Sequence, residues 1–156
     1  MLRRFLKARS EPANFAALRR IDLFHALNRR ELRTLDSLLH HRSYCQDEII
    51  FDEGEDGQAV YFILSGHVLI SRQSRPVDGA IAELGPDQSF GEMAMLDDAP
   101  RMAQARARDD CRLAVLFRDD FLGLLQSHAL IASKLSLALA HMLARRLRDT
   151  ISRDVV

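Results

Sequence analysis

Six of the seven glycines fall between Gly54 and Gly91, and this clustering constrains the fold of the 156-residue chain more than any other feature. Glycine punctuates turns, so a glycine-rich stretch broken into short apolar runs reads as closely spaced strands. The runs are Glu48 to Phe51, Val60 to Leu64, His67 to Ser71, Ile81 to Leu84, Met102 to Arg108 and Arg112 to Phe117. Their spacing predicts a small antiparallel β-roll, jelly-roll-like, over about 44–117. On either side the period lengthens. From Asn14 to about His41 apolar residues recur at helical spacing, as in Leu32, Leu35, Leu38 and Leu39, and Asn28 with Glu31 three residues on resembles a capping box. After the roll, Phe121, Leu122, Leu124 and Leu125 mark one helix, with Asp119 or Asp120 as its cap. Ile131, Leu135, Leu139, Leu143, Leu147 and Ile151 mark a longer one. A four-residue step departs from a full helical turn by about 40°, so this apolar line winds around its helix and meets more than one surface. The predicted class is α+β, a β-roll flanked by N-terminal and C-terminal helices, with a basic segment over 1–20 and one domain over 21–151.

The composition, 47% hydrophobic and 28% charged, suits one compact core. The net charge is zero but unevenly spread. Arg3, Arg4, Lys7, Arg9, Arg19 and Arg20 load the first segment, acids dominate from Asp47 to Asp98, and Arg145, Arg146 and Arg148 restore positive charge near the end. Such asymmetry marks a partner surface. A neutral total gives little counterion release, and no helix-turn-helix pattern follows the last helix, so direct nucleic-acid binding is not expected. Met1, Leu2, Phe5 and Leu6 among basic residues fit a helix packed on its own domain, with an anionic membrane surface or a partner as the alternative. No run of eighteen apolar residues exists and the N-terminus lacks a secretory apolar region, which points to a cytoplasmic protein.

The stretch FGEMAMLDDAPRMAQA, Phe90 to Ala105, carries the chemistry. Gly91 allows close backbone approach and φ values closed to other residues, Glu92 can accept from a ribose hydroxyl, and Met93 to Leu96 can form a helical turn whose first N–H groups favour an anion. Beyond an Asp97-Asp98-Ala99-Pro100 turn, Arg101 can return a planar guanidinium to the same phosphate. A carboxylate and a guanidinium nine residues apart suit a sugar phosphate.

F-G-E-x-A-x-L followed by P-R-x-A resembles the phosphate-binding cassette of the cyclic nucleotide-binding domain family. The resemblance extends over roughly Ile21 to Thr150, through DEIIFDEGEDGQAVYFILSGHVLIS, from Asp47 to Ser71, with its turn glycines Gly54, Gly57 and Gly66. It implies that Glu92 binds the ribose 2′-OH, Arg101 an exocyclic phosphate oxygen, and the backbone N–H groups of Gly91, Ala94 and Met102 the remaining oxygens. The binding set it implies is Phe90, Gly91, Glu92, Met93, Ala94, Pro100, Arg101, Met102, Ala103 and Gln104. It also implies that the helices after the roll move on binding and that the last one covers the base, through Leu139, Met142, Leu143 or Arg146. Two positions depart from the family. Met102 stands where a small residue is usual, and Gln104 replaces the Ser or Thr that helps to hold guanine, so the expected ligand is cAMP in preference to cGMP.

No enzyme signature is present. Ser65-Gly66 is a hairpin turn and no nucleophile elbow. His40, His41, His67, His128 and His141 lack the spacing of a metal-binding barrel, and Cys45 and Cys111 read as reduced, buried thiols, so neither a metal nor a cofactor is expected. Three classes are weighed: a sensor passing a helix movement to a protein effector, an interaction module of the same fold that no longer binds nucleotide, and a transcription regulator. The family forms the last by adding a DNA-binding domain, and this chain ends at Val156, about where such a domain would begin. Either a monomer or a homodimer paired through the last helix is compatible with the pattern.

Overall fold

The computed structural model describes residues 12–73 and 80–154. The reading of Met1, Leu2, Phe5 and Leu6 therefore lies outside the described residues. Helices α1 (Pro12–Arg20) and α2 (Arg29–Asp36) are joined by a 3₁₀ turn at Asp22–Phe24. Eight strands follow: β1 (His40–Tyr44), β2 (Ile49–Phe51), β3 (Ala59–Ser65), β4 (Val68–Ser71), β5 (Ala80–Leu84), β6 (Ser89–Phe90), β7 (Gln104–Ala107) and β8 (Cys111–Phe117). A second 3₁₀ turn, Glu92–Met95, interrupts them after β6, and α3 (Arg118–Ser127) and α4 (Ala129–Asp154) complete the chain. The strands form two antiparallel four-stranded sheets, ordered β1-β8-β3-β6 and β2-β7-β4-β5.

The central strands β3 and β8 explain why part of the roll reads as continuous apolar sequence. Alternate residues point to opposite faces of a strand, and here both faces are covered. Tyr61 and Ile63 of β3 and Leu113 and Val115 of β8 face the other sheet, where Tyr61 stacks on Phe90 with ring centroids 5.1 Å apart. Phe62 and Leu64, with Ala114 and Leu116, face the helices, and Phe62 meets Phe24 at 4.6 Å. Leu18, Ile21, Leu35, Phe121, Leu124, Ile131, Leu135 and Leu139 close this second core.

Several local expectations change. The helical lead-in ends at Asp36, and His40 and His41 belong to β1, paired with Val115 and Ala114. This strand is mostly exposed and polar, so it lacks the apolar alternation by which strands are recognised. Asp119 and Asp120 do not cap α3. The cap position is Phe117, which makes no side-chain cap bond, while the two acids occupy the first turn, where they favour the helix dipole. Cys111 is buried, and burial pushes its thiol up to about 11, but Cys45 is exposed because it follows the edge strand. At α2 the capping pattern is partly realised. Asn28 Oδ1 accepts from the Glu31 N–H at 2.9 Å, while the Glu31 carboxylate accepts from Asn28 Nδ2 and from Lys134 Nζ of α4, the latter at 2.9 Å.

The winding expected of α4 is present. Ile131, Leu135 and Leu139 are buried, Leu143 is half-buried, and Leu147 and Ile151 are 61% and 54% exposed. No described helix is long and apolar enough to cross a membrane.

Candidate functional site

The link between β6 and β7 builds the site. Gly91 has φ +75°, a left-handed conformation that side chains rarely adopt, and it starts the Glu92–Met95 turn. A Cβ at Gly91 would lie 2.6 Å from Arg101 Nη1, and one at Gly57 would lie 2.9 Å from Arg101 Nε. Both glycines therefore make room for one guanidinium. The backbone of Arg101 is held as firmly, since its N–H donates to Glu55 O and its carbonyl accepts from the Gly54 N–H, each at 2.8 Å. Asp98 on the preceding loop pairs with Arg118 at the start of α3.

Arg101 is 9% exposed and no carboxylate lies within ion-pair distance of it among the described residues. Its Nη1 donates to Gly91 O at 3.1 Å and its Nη2 to Ala59 O at 2.8 Å, while Nε has no partner among the described residues. The guanidinium carbon sits 4.0 Å from the centroid of Phe51. Desolvation by burial lowers its affinity for its proton below the ordinary arginine value, with Tyr61 and Glu55 opposing that shift. A buried cation without a counter-ion is costly, and a bound anion would relieve it.

Glu92 is the complementary group. Its side chain is only 6% exposed, Oε1 accepts from Arg146 Nη1 of α4, and Oε2 has no partner among the described residues. Arg146 Nη2 also donates to Ser89 O at 3.2 Å. Glu92, Arg101 and Arg146 line one cavity of about 320 Å³, a volume suited to a small organic ligand.

The remaining predicted residues separate into two groups. Phe90, Gly91, Met93, Ala94, Pro100, Met102 and Ala103 all line this cavity, with Met93 and Met102 exposed at its edge. The Ala94 N–H already donates to Gly91 O, at 3.3 Å. Gln104 does not line it, and its half-buried side chain donates instead to Asp52 Oδ1 at 2.6 Å. Of the four α4 candidates only Arg146 reaches the cavity. Leu139 is consumed by the helix-facing core, Leu143 is half-buried away from the cavity, and Met142 places its Sδ 3.7 Å from Ser89 Oγ beside a neighbouring cleft. Ile70, Ala82 and Leu84, on β4 and β5, also line the cavity, although no motif in the sequence marks them as site residues. Their short apolar runs were visible, but only strand pairing brings them to face Arg101. No group of three or more metal-ligating side chains exists among the described residues.

The chain also resembles proteins already characterised. The profile of the family described as the cyclic nucleotide-binding domain matches residues 41–128. The cyclic AMP receptor protein of Thermus thermophilus is 41% identical over 128 residues, which cover 81% of this chain and 57% of that protein, so the chain spans little more than half of that relative's length. A cyclic nucleotide-binding domain from Methylobacillus flagellatus superposes with a TM-score of 0.78 at 29% identity, covering 90% of this chain and 80% of that one. The regulatory domain of Toxoplasma gondii PKA, solved with cAMP, has a TM-score of 0.62 at 30% identity, covering 71% of this chain and 42% of that one. With the profile spanning more than half the chain, the chain belongs to the cyclic nucleotide-binding domain family.

Proposed function

We propose that the protein is a non-catalytic cytoplasmic sensor that binds cAMP in preference to cGMP and passes a movement of α4 to a protein effector. One observation carries the reading: a buried guanidinium with no counter-ion, Arg101, lines the same cavity as a buried carboxylate oxygen with no donor, Glu92 Oε2. A cyclic nucleotide offers both complements, an anionic phosphate for Arg101 and a ribose 2′-hydroxyl for Glu92. The Thermus relative is named as a cyclic AMP receptor protein and the Toxoplasma domain was solved with cAMP, which supports the same ligand. The ligand order rests on Gln104, which supplies no hydroxyl and is engaged with Asp52. The output rests on α4, whose Leu130, Leu137, Leu147 and Ile151 are exposed and available to an effector or to a second copy of the helix.

A second reading, an interaction module that has lost nucleotide binding, is favoured by the bonds of Arg101 to Gly91 O and Ala59 O, which engage one N–H of each terminal nitrogen and hold the guanidinium without a ligand. Calorimetric titration of nucleotide-stripped protein with cAMP and cGMP separates the two. Saturable cAMP binding tighter than cGMP binding supports the sensor. Absence of heat with either, on folded protein, supports the interaction module.

A further inference from the structure

We infer that an arginine cluster around the first turn of α1 is a docking surface for an anionic membrane, acting together with the basic, apolar-rich sequence that leads into that helix. None of its residues lines the nucleotide cavity, so the inference stands apart from the cyclic nucleotide reading. Arg29 and Arg33, one turn apart on α2, bring their guanidinium carbons to 6.0 and 5.9 Å from the ring centroid of the half-buried Phe15 of α1. The adjacent Asn14 accepts through Oδ1 from Arg112 Nη2 at the start of β8. Three exposed arginines from two elements thus meet on a third.

Folding alone does not call for this grouping. Like charges four residues apart on a helix repel, and cations in a first turn, as Arg29 and Arg30 are in α2, oppose the helix dipole. No carboxylate lies within ion-pair distance of Arg29, Arg33 or Arg112 among the described residues. The acids near them in the chain are engaged elsewhere. Glu31 turns to Lys134 of α4 and Asp36 to His41 of β1, with side chains only 12% and 10% exposed. Asp109 bonds to His67, and Asp110 accepts from the Gln46 N–H. The acids of α2 therefore point inward while its arginines face solvent, which suits an anionic partner. The sequence before α1 says which kind. MLRRFLKARS sets Met1, Leu2, Phe5 and Leu6 among Arg3, Arg4, Lys7 and Arg9. Apolar side chains can enter the acyl boundary of a bilayer while cations hold its anionic headgroups. A nucleic acid would use the cations and leave the four apolar side chains without a role.

The test is co-sedimentation of the full chain with vesicles of phosphatidylcholine alone and of equal parts phosphatidylcholine and phosphatidylglycerol. The expected result is binding to the mixed vesicles only, weakening as salt is raised. Arg29→Gln/Arg33→Gln removes two surface charges and should bind the mixed vesicles about 30-fold more weakly. Its stability in urea should hold or rise, because a repulsive pair is gone. Arg112→Gln, on a different element, should lose about fivefold. Equal wild-type binding to both vesicle types, or binding to neither, would overturn the inference. Unchanged vesicle affinity in the double variant together with lower stability would make the cluster a purely structural clamp on Phe15. A gel shift with single-stranded RNA, from protein that does not sediment with the mixed vesicles, would overturn it in favour of a nucleic-acid surface.

Discussion

The two arginines of the cavity belong to opposite mechanical regimes. Arg101 is enclosed by the roll: two backbone carbonyls receive it, two glycines clear its path, and its own backbone is tied to the β2–β3 loop. Arg146 rises from the distal half of α4, where the apolar residues that follow are exposed and its contacts to Glu92 and Ser89 O hold the helix to the cavity. One wall is therefore rigid and the other adjustable. Local stability tracks buried apolar contact, so a ligand that touches both walls shifts the second. The proposed sensing and output need this division, because a site built wholly within the core has nothing cheap to move.

Removing Phe62 attacks the rigid side most directly. It fills the core between β3 and Phe24, and Phe62→Ala should lower unfolding free energy by about 3–5 kcal/mol in urea titrations. Arg101→Ala should cost about 2–3 kcal/mol of cAMP binding, roughly 30- to 150-fold, because it deletes a charge-assisted contact. Burial adds a second effect there: Gly91 O and Ala59 O lose a donor, so the same variant should melt earlier than wild type in calorimetric scans. Glu92→Gln should weaken cAMP by less, on the order of 1 kcal/mol, since an amide oxygen still accepts from a hydroxyl. Wild-type affinity in both cavity variants would remove the distinction between the walls altogether. The smallest effect belongs to the adjustable side, where Leu147→Ser should change monomer stability by no more than about 0.5 kcal/mol. A larger loss that depends on protein concentration would reveal that α4 is covered by a second copy.

Features encoded in contiguous residues were legible before the structure. The cassette is one such run, with its turn glycine, acid and arginine in order, and the Asn28 cap is another, because both depend on neighbours within a few positions. The edge strand β1 was not legible, since HHRSY carries no apolar pattern and is a strand only because β8 offers it a ladder. Burial of Arg101 was equally hidden. Nothing local in a charged residue after a proline turn announces burial, which arises only when β3 supplies a carbonyl and the Tyr61 ring and β2 supplies the Phe51 ring around it.

The choice among Leu139, Met142, Leu143 and Arg146 marks the same boundary. All four lie on one stretch of helix, and periodicity states their angular order but not the angle at which the helix meets the roll. That angle is set by Ile131, Leu135 and Leu139 settling against the helix-facing core, which leaves Arg146 opposite Glu92. The chain's local order thus specified strands, turns and the chemistry of the cassette, because those depend on short-range backbone preference and side-chain type. The partner of that cassette came only from packing, since contacts between residues 54 apart in the chain depend on how whole elements bury their apolar faces.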